Sequence, residues 1–94
     1  MFLVISRYLK PPEEVDRWLE EHRAFLDRHY AAGHFLVSGP FVPRTGGIIV
    51  TLPMTRDELD RIMAEDPFVR ESVSEYTIQE MKATKRHDVL RELL

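Results

Sequence analysis

Residues Glu13 to Pro40, EEVDRWLEEHRAFLDRHYAAGHFLVSGP, constrain the fold more than any other stretch of the chain. Val15, Trp18, Leu19, Phe25 and Leu26 recur at the spacing that makes one apolar stripe on an α-helix. The pattern predicts a single long helix to about Ala32, stopped by Gly33 as a C′ residue in the left-handed conformation. A strand over 34–41 follows, bent at Gly39-Pro40. A helix with one apolar side must lie on another layer. His22 sits in the middle of that side, within about 40° of Trp18 and Leu26 and about 60° of Leu19 and Phe25. A titratable ring is therefore aimed at the core, not at water.

The rest of the chain supplies the layer. Phe2 to Leu9 reads as a strand, with Phe2, Val4, Ser6 and Tyr8 on one face and Leu3, Ile5, Arg7 and Leu9 on the other. Pro11-Pro12 ends it, and Pro12 suits the first turn of the helix, where Glu13, Glu14 and Asp16 answer the dipole. Pro43 to Gly47 makes a turn in which Gly46-Gly47 supplies backbone freedom. Strands are expected at 47–52 and 73–81. Between them Thr55 and Glu58 fit a capping box opening a second helix with Leu59, Ile62 and Met63 as its stripe. Asp66-Pro67 stops that helix. Arg86 to Leu94 suggests a short terminal helix.

Strand, helix, strand, strand, helix, strand is the α+β, ferredoxin-like βαββαβ order, an antiparallel sheet with two helices on one face. The 94 residues make one domain, with a core at 2–82 and an extension at 83–94. Two helices cover one side of the sheet, yet the first and third strands are apolar on both sides. A homodimer packed through the open sheet face is the expectation.

Composition narrows the function. A net charge of −3 argues against nucleic acid, and the one basic cluster, Lys82, Lys85 and Arg86, reads as a solvated tail. With no cysteine there is no disulfide, thiolate nucleophile or Cys-ligated metal, and a reducing cytoplasm is the natural compartment. No run is long and apolar enough to suggest a membrane span, and MFLVIS lacks the features of a signal peptide.

Two residues stand out chemically. His22 is either a core histidine held by a backbone carbonyl or a general acid/base, which needs a carboxylate to fix its tautomer. Asp66, directly before Pro67, is either an Asx-type turn residue capping its neighbours or that carboxylate. His29 lies two turns from His22, too far to share a metal, and near the helix end it answers the dipole and the free carbonyls. His34 and His87 have no supporting context. No metal or other cofactor is expected. Ser38 has no nucleophile elbow, while Gly39-Pro40 is a strand-ending bend or a place where a ligand meets the backbone. Arg7 clamps an anionic group or pairs with a carboxylate across the dimer.

The ordered set of His22 and Leu26 on a helix, Gly33, a strand ending Ser38-Gly39-Pro40, the Gly47 strand and Asp66-Pro67-Phe68 resembles the YCII-related family of dimeric α+β barrels, over residues 2 to about 82. The resemblance implies that His22 and Asp66 are the active-site pair, beside a pocket for a small anionic organic molecule. A relative acts as a dehydrochlorinase on a chlorinated muconate-type acid. Val69-Arg70-Glu71-Ser72 stands where the family usually has small residues, and the loop between the second and third strands is short, so the substrate does not transfer. The reading is a cofactor-independent enzyme using His22 and Asp66, with Arg7, Ser38, Gly39 and Pro40 holding the substrate, by lyase, isomerase or hydrolase chemistry. A non-catalytic binding or sensor protein and an accessory subunit are the alternatives.

Overall fold

In the computed structural model, which describes residues 1–94, the first strand is the centre of the sheet. Along β1 (Phe2–Tyr8), Phe2 and Val4 are buried while the alternate Ile5 and Arg7 are exposed. It pairs antiparallel with β3 (Gly46–Thr51) on one edge and β4 (Ser74–Glu80) on the other, and β2 (Phe35–Pro40) adds to β3. The order β2-β3-β1-β4 is that of the expected ferredoxin-like α+β fold. Gly46 and Gly47 begin β3 instead of only relaxing the turn. A Cβ on Gly46 would lie 2.0 Å from the Ser6 carbonyl oxygen, and one on Gly47 would lie 2.7 Å from that of Gly39. Glycine at both lets the backbones approach closely.

The expected single helix is two. α1 (Pro12–Arg17) and α2 (Leu19–Ala31) are separated at Trp18, whose ψ of 3° interrupts the helical ladder. No proline or glycine marks the break; packing does. Val15 of α1 joins Phe68 and Val73, with Tyr8, Trp18 and Leu19 against them. Phe25 of α2 joins the main core of Phe2, Val4, Phe35, Ile49, Leu59, Ile62 and Met63. One straight helix would have to serve both clusters. α2 ends as expected, with Gly33 at φ +77°, its N–H donating to Tyr30 O and the His34 N–H to His29 O, a Schellman motif.

Thr55 caps α3 (Arg56–Met63) by accepting from Glu58 N at 3.2 Å, although the return bond runs from the Thr55 hydroxyl to the Glu58 carboxylate. A short helix absent from the sequence reading, α4 (Pro67–Arg70), follows at once. The expected terminal helix is only a 3₁₀ turn, Asp88–Leu90. Val89 is 77% exposed and Leu93 48%, so little apolar burial rewards ordering a longer helix there. The helices cover one sheet face. The other carries Leu3, Ile5, Val37, Ile48 and Val50 side by side by strand register.

Candidate functional site

Asp66-Pro67 builds the site. The chain leaves α3 and Asp66 becomes the N-cap of α4, with Pro67 in the first turn, where no amide is needed. The Phe68 N–H donates to Asp66 Oδ1 at 3.0 Å, which holds the carboxylate still. The same oxygen lies 2.8 Å from His22 Nδ1 on α2. Asp66 Oδ1 therefore both caps the turn and contacts the His22 ring. The pair is well buried, with side chains 16% and 5% exposed for His22 and Asp66. Phe68 clamps the imidazole from one side, its ring parallel within 4° at a centroid distance of 4.0 Å. Donation from Nδ1 to the carboxylate leaves the lone pair on Nε2.

His22 and Asp66 line a cavity of about 400 Å³ between α2, the Asp66–Phe68 turn and the sheet. Strand register sets the floor, with Pro40, Gly47, Ser6 and Tyr76 in one row and Ser38, Ile49, Val4 and Ile78 in the next. Ser38, Gly39 and Pro40 line the cavity. Ser38 Oγ is also 2.7 Å from the Tyr30 hydroxyl. Arg7 is elsewhere. It points from the opposite sheet face and pairs with Glu75 on the adjacent strand of its own chain.

Several polar groups of the cavity were not singled out from sequence as site residues, among them Arg23, Arg44, Ser74 and Tyr76. Burial, with the negative charges of Asp60 and Asp66, raises the Tyr76 phenol above its usual value against the pull of Arg56, so it remains a proton donor at neutral pH. Its place on the inward alternation of β4 was a usable signal. Arg44, in a proline-containing turn, gave none.

His29 lies in the last turn of α2, as expected, but its ring bonds to side chains instead of the helix carbonyls. Its ring is buried, with Nε2 3.0 Å from Glu65 Oε1 and Nδ1 2.9 Å from His34 Nδ1, so both histidines belong to one network. The Schellman turn at Gly33 brings them together.

Comparisons with known proteins agree with this architecture. Residues 1–82 match the YCII-related domain. The chain is 35% identical over 82 residues to the uncharacterized protein YjpA of Bacillus subtilis, covering 83% of this chain and 96% of that protein. Its fold superposes at a TM-score of 0.71, with 20% identity, on 5-chloro-2-hydroxyhydroquinone dehydrochlorinase (TftG) from Burkholderia phenoliruptrix in complex with 2,5-dihydroxybenzoquinone. That match covers 87% of this chain and 94% of the other, and at this identity it speaks to the fold.

Proposed function

Because this chain belongs to the YCII-related family, we propose that it is a small enzyme in which His22 moves a proton on a bound organic acid or acidic phenol. The observation that carries this reading is the 2.8 Å contact between His22 Nδ1 and the capped, buried Asp66 at the wall of the cavity. Nε2 accepts a proton from the substrate and the Asp66 carboxylate stabilises the resulting imidazolium. Returning that proton to another atom gives isomerisation. If instead the electron pair of the broken bond moves into the substrate's π system, a leaving group departs with its own bonding pair, which is elimination. The solved neighbour is named for dehydrochlorination of a chlorinated hydroxyhydroquinone, a phenol and not the muconate-type acid that the resemblance suggested. Both chemistries are open to the pair. The same reading places the protein in the cytoplasm as a homodimer, with a second copy on the open sheet face.

The test is a panel of chlorinated hydroxyhydroquinones and small carboxylic acids in D2O, read by chloride release and by deuterium incorporation. At least one member is turned over, and His22→Gln lowers its kcat by about 10²–10⁴-fold. Asp66→Asn, which keeps the shape but removes the charge, lowers kcat by a smaller factor. No turnover, combined with ligand binding that survives His22→Gln, would make this a binding or sensor protein.

A further inference from the structure

We infer that Arg44 selects the acidic group of the ligand by exchanging its present partner, Asp16, for the ligand's carboxylate or phenolate. The inference deepens the proposed function and depends on it only for the identity of the cavity. Among the charged groups that line this cavity, the Asp66 carboxylate is already engaged by His22 and the Phe68 amide. The others are cations, Arg23 and Arg44. A cavity whose one carboxylate is occupied and whose remaining charges are positive favours an anion over a neutral molecule.

Arg44 is the better placed of the two. It stands on the connection between β2 and β3, its guanidinium carbon 5.5 Å from the centroid of the Tyr8 ring, itself a wall of the cavity. The ring orients the planar fork, which is suited to two-point recognition of a carboxylate. Nη2 donates to Asp16 Oδ1 at 2.7 Å and the Tyr8 hydroxyl is a second neighbour of the guanidinium, so a ligand oxygen would share or displace these partners. Asp16 lies on α1, outside the cavity lining, so the guanidinium bridges an external carboxylate and the internal space. The two side chains are 38% and 52% exposed, and ion pairs so open to water are readily exchanged. Arg23, exposed on α2 beside His22, has no ion partner and no ring to orient it.

Benzoate and its neutral isostere benzamide are suitable probes, titrated by NMR against the full chain after circular dichroism shows that each variant is folded. Wild type prefers benzoate. Arg44→Gln weakens benzoate by about tenfold or more, the range for a lost charge-assisted hydrogen bond, and leaves benzamide unchanged. Arg44→Lys, which keeps the charge without the fork, falls between them. Asp16→Asn tightens benzoate alone by removing the competing carboxylate. Arg23→Gln keeps the preference. His22→Gln also keeps it, so failure of the proposed acid/base chemistry and failure of this inference give different results. Equal effects of Arg44→Gln on both probes, a preference lost only in Arg23→Gln, or no preference in wild type would overturn it.

Discussion

Asp66 Oδ1 accepts from the Phe68 amide and the His22 ring at once, so the start of α4 also aims the imidazole. Asparagine keeps an oxygen for both donors and isolates the charge. Alanine removes the cap as well, which costs about 1 kcal/mol of stability. A second histidine–carboxylate pair makes a small contribution to acid stability. His29 hydrogen-bonds to Glu65 and, with Arg28 alongside, holds its carboxyl below the ordinary glutamate value. That contribution is full above the unfolded-state value of about 4.3 and disappears as pH falls through the lower folded-state value. Glu65 is 48% exposed, so the gap between wild type and Glu65→Gln is small, about 0.5 kcal/mol. Urea unfolding from pH 6 down to pH 3 should show a constant gap above pH 5 that closes toward pH 3. A gap that widens on acidification would sink the assignment.

At the scale of elements, helix stops matter as much as helices. Gly33 ends α2 in a left-handed turn without a side-chain penalty, whereas α4 ends in the same kind of turn with Ser72 at φ +56°. The Ser72 N–H donates to Val69 O and the Val73 N–H to Phe68 O, so the motif is complete but its left-handed residue carries a Cβ. Ser72→Gly relieves that strain, offset in part by the greater freedom of glycine in the unfolded chain. Chemical denaturation should show a gain of about 0.5–1 kcal/mol. A loss would mean that the Ser72 side chain holds the turn. The break at Trp18 teaches the complementary lesson. The apolar stripe is continuous in sequence, but Val15 and Phe25 are claimed by different clusters.

For the whole molecule, the exposed sheet face is the unanswered surface. Ile5 is 38% and Val37 55% exposed, beside Leu3, Ile48 and Val50 on the same face. A second copy presenting the same strip would remove it from water, and the Arg7–Glu75 pairs would lie at the edge of such an interface. Light scattering coupled to gel filtration should report a dimer for wild type and a monomer for Ile5→Lys, with the circular dichroism unchanged. A wild-type monomer at high micromolar concentration would refute this arrangement. Within one chain, the cavity draws on α2, the turn into α4 and the sheet.

Local chemistry by itself determined the order of the strands and principal helices, the stop at Gly33, the cap at Thr55 and the inward aim of His22. Each depends on a period, a left-handed glycine or a side-chain oxygen within a few residues. Family resemblance then joined His22 to Asp66. Tertiary structure decided what sequence-distant groups do: the break at Trp18, the pairing of Arg7 with Glu75, the His29–His34–Glu65 network and the arrival of Arg44 at the cavity. A charged side chain takes whichever partner the fold brings near, and strand register and helix packing choose that partner over separations that no local pattern records.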